Sequence, residues 1–189
     1  MRTFLTVILF CHLALAQQSV RAVYLVRHAE NTSAKDDPTL SPAGLKRADC
    51  LASTLKDAGI KQIYVTEEKR TKQTADPLAK QLKITPTVLP VGDPGNLVRN
   101  AFYLGRGNTL IVGDSSNIPV ILARMKAGTI TPLGENDFDR MFVVTTMEGS
   151  ATPVVTLHYC AGLTGSSSSQ PQPATVHTAT PARKAPPKK

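Results

Sequence analysis

Ala22-Val23-Tyr24-Leu25-Val26-Arg27-His28-Ala29-Glu30 is the stretch that organises this chain. Five apolar residues run without polar alternation into a cation, an imidazole and a carboxylate. An unbroken apolar run of this length suits a strand covered on both faces, as in a parallel sheet. It would deliver Arg27 and His28 to the point where the strand leaves the core.

Working outward, the pattern alternates strands and helices. A polar loop, Asn31–Thr39, contains Asp36-Asp37, adjacent carboxylates before a proline that read as a solvated loop and not as a metal site. Ser41-Pro42 is a helix start, with a capping hydroxyl and a proline at the first helical position. The helix is expected to reach about Ala58 and stop at Gly59. Leu45, Ala48, Leu51, Ala52 and Leu55 fall on one face of it, and Cys50 points away. Strands are expected at Ile60–Thr66, Ile84–Val88 and Thr109–Val112. Helices are expected at Lys69–Leu82, kinked or split by Pro77, at Asp93 to about Leu104, and at Asn117–Lys126. Phe138–Thr146 and Pro153–Tyr159, joined around Glu148-Gly149-Ser150, read as a hairpin. The fold class is therefore α/β, a three-layer sandwich whose mainly parallel sheet is flanked by helices, with an antiparallel edge.

The two ends read differently. Arg2, the mostly apolar Phe4–Leu15 and the small-x-small Ala14-Leu15-Ala16 form the pattern of an export signal over residues 1–16. That segment falls short of the about 20 apolar residues a bilayer span needs, so no transmembrane span is expected after signal removal. Residues 17–163 form one domain. From Thr164 the chain turns to Ser, Pro, Thr, Ala and Lys, which cannot bury enough surface to offset ordering entropy. Residues 164–189 are read as a disordered tail, either a solubilising extension or a contact with anionic surfaces. An exported, periplasmic or extracellular, protein is expected, and Cys50 and Cys160 then permit one disulfide without demanding it.

The formal charge of +8 is misleading. Arg2, Arg183, Lys184, Lys188 and Lys189 all lie outside residues 17–163, so the domain is only mildly basic and a nucleic-acid partner is not expected.

Ligands of open α/β sheets bind beyond the carboxyl ends of the strands. That rule brings together Arg27-His28, Thr66-Glu67-Glu68 with Arg70, and Gly113-Asp114-Ser115. Two guanidinium forks beside one imidazole suit a phosphate group, and backbone N–H groups near Ser115–Asn117 would add to the anion site.

Val26-Arg27-His28-Ala29-Glu30, Leu40-Ser41-Pro42-Ala43-Gly44, Arg70-Thr71-Lys72-Gln73-Thr74-Ala75 and Ile111-Val112-Gly113-Asp114-Ser115-Ser116-Asn117-Ile118-Pro119, with Phe138–Val144 after them, stand in register across most of Val23–Tyr159. In this order they resemble the histidine phosphatase superfamily, the phosphoglycerate mutase-like fold. The resemblance implies a phosphomonoesterase in which His28 attacks phosphorus and becomes a phosphohistidine, while Arg27 and Arg70 hold the phosphoryl oxygens. A carboxylic acid would protonate the leaving alcohol, with Glu67 first and Glu30 second. No cofactor and no metal is implied; the ligand would be a small phosphorylated molecule. One position departs from the family pattern. Asp114 stands where the family has a second histidine that donates to the phosphoryl group, which implies weakened catalysis. The alternative is an inactive domain that binds a phosphorylated ligand or a protein partner. An Asp114 paired with Arg27 or Arg70 would compete with phosphate.

Overall fold

The computed structural model describes residues 20–90, 92–147 and 150–163. The expected export signal at 1–16, the expected tail at 164–189 and residues 148–149 lie outside them. The apolar run forms β1 (Arg21–Arg27), with Val23, Leu25 and Val26 fully covered. It is followed by α1 (Pro42–Leu55), β2 (Ile60–Val65), α2 (Lys69–Leu82), β3 (Thr87–Val88), α3 (Pro94–Val98) and a π-helical turn at Arg99–Tyr103. Then come β4 (Asn108–Gly113), α4 (Asn117–Arg124), β5 (Arg140–Met147), β6 (Ser150–Ala151) and β7 (Val155–His158).

The described residues form a seven-stranded sheet in the order β3-β2-β4-β1-β5, with β6 and β7 both pairing with β5. β1 pairs in parallel with β4, from Val23 opposite Thr109 to Arg27 opposite Gly113. The sheet is mixed and not mainly parallel, a correction to the sequence reading. β5 runs antiparallel along β1 from Arg21 to Val26, and β7, antiparallel to β5, gives the expected antiparallel edge. The reason lies in the segment after α4. It contains no second helix and climbs back to the carboxyl edge, so the next strand must descend.

Alternation along β1 feeds two separate cores, which gives the three-layer arrangement. Val23 and Leu25 join Ile111, Phe142 and Val144 against α3 and α4. Val26 joins Ile63, Val65 and Val112 against α1 and α2.

Several elements differ from expectation in detail. In α1 the covered face is Gly44, Arg47, Ala48, Leu51, Ala52 and Leu55, while Leu45 is half exposed. The buried arginine replaces the leucine because an acidic partner waits beneath it. Gly44 is required by close approach, since a Cβ there would stand 2.0 Å from the Glu30 carbonyl oxygen. α2 passes through Pro77 as one helix, held by Thr74, Ala75, Leu78 and Ala79, which are buried on either side. β3 is shorter than Ile84–Val88 because Lys83 turns left-handed and Ile84 N–H closes the end of α2 on Ala79 O. The helix expected to reach Leu104 changes pitch at Arg99, and Leu104 N–H bonds to Arg99 O. α4 ends at Arg124 rather than Lys126.

Cys50 and Cys160 form a disulfide, with Cα atoms 6.3 Å apart and a sequence separation of 110. It ties the end of the sheet to α1. Closing so long a loop restricts the unfolded chain. Replacing both cysteines by serine should lower stability by about 2–4 kcal/mol, seen as an earlier urea midpoint. A midpoint unchanged by either the double variant or reductant would refute this. No helix of the described residues is long and apolar enough to cross a membrane.

Candidate active site

At the carboxyl end of β1 the backbone is held from both sides. His28 N–H donates to Gly113 O at 2.8 Å, and Ala29 N–H donates to Thr74 Oγ1 at 2.9 Å. The parallel β1–β4 register and the α2 helix therefore set the position of His28. Its Nδ1 lies 2.8 Å from Ala29 O. A carbonyl can only accept, so Nδ1 carries the proton and the lone pair sits on Nε2. Burial, followed by the charges of Arg27 and Arg70, pulls the His28 pKa down to about 4, against the opposing pull of the Ala29 hydrogen bond and Asp114. His28 is thus an uncharged imidazole at neutral pH, with the lone pair of Nε2 unprotonated.

Arg27 is fixed by the segment before β5, in which 134–135 carry no assignment from sequence and Phe138, expected in the strand, precedes its start at Arg140. Its Nη1 donates to Gly134 O at 2.7 Å and to Glu135 O at 3.0 Å, and its guanidinium lies 4.3 Å from the centroid of the Phe138 ring. Burial is the main influence on Arg27 and lowers its pKa; Asp137 and Asp114 oppose that. Arg70, on the first turn of α2, is ion-paired with Glu68, both being partly buried. Burial raises the Glu68 pKa, Asp114 adds to the rise, and Arg70 and the Thr66 hydroxyl oppose it.

Asp114 follows β4. Its Oδ1 accepts from Ser116 N–H at 2.7 Å, Ser116 Oγ at 2.6 Å and Asn117 N–H at 2.9 Å, and its Oδ2 accepts from Asn117 Nδ2 at 3.0 Å. Asn117 Oδ1 in turn takes Asp114 N–H at 2.9 Å. That turn requires glycine at 113, where a Cβ would lie 2.3 Å from Asn117 Oδ1. The α4 N-terminus, read from sequence as an open anion site, is thus filled by the chain's own carboxylate.

A neutral buried imidazole, two guanidinium groups and a helix N-terminus meet at the carboxyl edge of this sheet. The model of the histidine phosphatase superfamily (branch 1) matches residues 23–91. The domain has the histidine phosphatase fold. It is similar to the protein histidine phosphatase SixA complexed with tungstate, at 17% identity and a TM-score of 0.59, covering 72% of this chain and 96% of that one. It is also similar to the alpha-ribazole phosphatase from Shigella flexneri, at 14% identity and a TM-score of 0.56, covering 70% and 94%. A mycobacterial glucosyl-3-phosphoglycerate phosphatase gives 11% identity and a TM-score of 0.56, covering 75% and 99%. No curated protein matches the sequence.

Within this histidine phosphatase fold the residues read from sequence divide into two groups. His28, Arg27, Arg70 and Asp114 bear on one another electrostatically. The pairing expected between Asp114 and an arginine is not made among the described residues. Asp114 turns to Ser116 and Asn117, Arg70 is taken by Glu68, and Arg27 by two carbonyls. Glu67 is exposed, whereas Glu68 turns inward. Glu30 is buried and meets Arg47 through both Nε and Nη2, at 2.8–3.0 Å, and Arg47 itself has no exposed surface. Its geometry is that of a structural pair under α1. His158 is exposed and bonded to Asp139. Among the described residues no group of three or more His, Cys, Asp or Glu side chains is arranged to hold a metal ion.

The low pKa of His28 has a direct consequence. kcat/KM, corrected for the substrate's own ionisation, should keep its histidine-dependent acid limb near pH 4. A limb near pH 6.5 would show that burial does not control this group. Because the folded pKa lies below the unfolded value, the unfolded chain binds more protons. The His28 contribution to stability therefore falls as pH drops from about 6.5 towards 4.

Proposed function

We propose that this protein is an exported phosphomonoesterase acting through a phosphohistidine at His28, with turnover limited by Asp114. The observation that carries this reading is the imidazole itself. Its Nδ1 proton is committed to Ala29 O, its pKa is low, and Arg27 and Arg70 flank it. Nε2 attacks phosphorus in line as the bond to the leaving oxygen breaks. The arginines hold the equatorial oxygens. The departing oxygen takes a proton from a carboxylic acid, and water then attacks phosphorus, releases phosphate and restores neutral His28. We assign the proton donor to Glu68 in preference to its neighbour Glu67, because Glu68 turns inward beside Arg70 while Glu67 is exposed; burial also raises the Glu68 pKa. The names of the similar phosphatases agree with phosphoryl chemistry in this fold. The disulfide supports an oxidising compartment.

A second reading rests on a specific observation. Asp114 fills the α4 N-terminus, and both arginine forks are already engaged by the chain's own oxygens. That arrangement suits a domain that binds a phosphorylated ligand or partner without turning it over. Purified full chain, its disulfide intact, is assayed with an aryl phosphate from about pH 4 to 8 beside His28→Ala. Activity that His28→Ala abolishes supports the enzyme. An inert parent that still binds inorganic phosphate supports the second reading, and loss of both rejects the site.

A further inference from the structure

The segment Gly128–Asp139 between α4 and β5 belongs to no regular element, yet it is tied down at several points. Arg140, the first residue of β5, donates from Nη1 to Thr131 O at 3.1 Å and Pro132 O at 3.3 Å, and lies 3.5 Å from Asp137 Oδ2. Asp137 Oδ2 also accepts from Gly134 N–H at 2.9 Å. Far from being a loose loop, this is a strap folded on its own hydrogen bonds and laid across Arg27. Tyr159 N–H holds its end through Asp139 O at 2.8 Å.

What the strap presents to the site is chemically uneven. Phe138 is half-buried, with one flank on the Arg27 guanidinium and its centroid 6.1 Å from that of the His28 ring, tilted by 55°. An aromatic wall therefore stands beside the nucleophile and leaves some of its surface uncovered. Asp137, whose Oδ2 is held by the N–H of the same Gly134 whose carbonyl meets Arg27, brings a carboxylate close enough to act on Arg27. With Asp114 also acting on Arg27, added negative charge on a ligand meets repulsion there.

Resting on the phosphate-site reading above, we propose that the strap selects a phosphoryl group carried on a flat, weakly charged leaving group. Phe138 forms the wall that the leaving group packs against, and Asp137 turns away ligands with a second anionic group. Aryl phosphates are the substrate class this favours, and sugar phosphates bearing carboxylates the class it disfavours. Aromatic pairing beside an arginine supplies the preference, since stacked and edge-on rings attract beyond the area they cover.

The test uses non-hydrolysable phosphonates and calorimetry on the full chain, so it does not depend on turnover. The parent should bind phenylphosphonate about tenfold more tightly than methylphosphonate. Phe138→Ala should reduce that ratio to about two or less, and Phe138→Tyr should restore it. A purely structural role for Phe138 would weaken both ligands equally through Arg27 and leave the ratio unchanged, which overturns the proposal. If Phe138→Ala does not fold, the charge arm decides. The parent should bind phosphonoacetate severalfold more weakly than methylphosphonate at low salt, and Asp137→Asn, which keeps an acceptor for Gly134 N–H, should narrow that gap. Equal affinities in the parent, or a gap that Asp137→Asn does not alter, overturn the selection. Loss of inorganic phosphate binding in the parent rejects the phosphate site as well, whereas phosphate binding with a flat phosphonate ratio rejects the strap alone.

Discussion

Asp114→His should raise turnover of an aryl phosphate by about two to three orders of magnitude, the size of effect expected when one oxyanion donor is restored. Two influences add. A carboxylate about 4 Å from one phosphate charge costs roughly 4 kcal/mol at an effective dielectric near 20, and the imidazole supplies an N–H that the carboxylate lacks. Against this stands the loss of the turn in which Asp114 holds Ser116 and Asn117, which costs about 1 kcal/mol of stability as a lost helix cap. Asp114→Asn separates the two influences. It removes the charge, keeps an acceptor for Ser116 and Asn117, and should tighten phosphate binding while raising turnover less than histidine does. If Asp114→His binds phosphate normally and remains as slow as the parent, Asp114 is not the limiting residue.

Glu30→Ala should destabilise the protein by about 3–5 kcal/mol, because it leaves the Arg47 guanidinium buried without its carboxylate. In a domain of this size the melting temperature should fall by roughly 10 °C or more. Activity per folded molecule should stay near the parent value. The opposite outcome, an unchanged melting temperature with lost turnover, would return Glu30 to the role of leaving-group acid that the sequence alone allows. The contrast is informative because Glu30 is only two residues from His28. Their proximity in sequence concealed that one side chain serves the site and the other anchors α1.

The legible parts share a physical origin. β1 could be read because a strand covered on both faces must be apolar throughout, and its polar ending then stands out. The start of α1 could be read because Ser41 accepts from Gly44 N–H; the helix ends at Leu55 rather than about Ala58, and Gly59, with a left-handed φ of 64°, closes the turn that follows. Glu68 and Phe138 are placed by the sequence only in part: Glu68 is gathered at the sheet edge without being set apart from Glu67, and Phe138 reads as the start of a strand that begins only at Arg140. Each is partly covered, and its importance lies in what it faces across the chain. Arg47 did carry a signal that went unread. It occupies the buried face with Gly44, Ala48 and Leu51, at spacings of three and four, where a charged residue calls for a buried partner.

By itself the sequence determined the α/β class, the central strand ending in Arg27-His28, and the recruitment of Arg70 and Asp114 to the same sheet edge. Those follow from apolar periodicity and from the rule that ligands gather at the carboxyl ends of strands. Only the tertiary structure decided what each charged group is joined to. Asp114 went to its own helix, Glu30 to Arg47, Arg70 to Glu68, Arg27 to the strap, and Cys50 to a cysteine 110 residues away. Periodicity records which side of an element is covered. The partner under that cover is chosen by chain segments far off in sequence, and it appears only when the chain is folded.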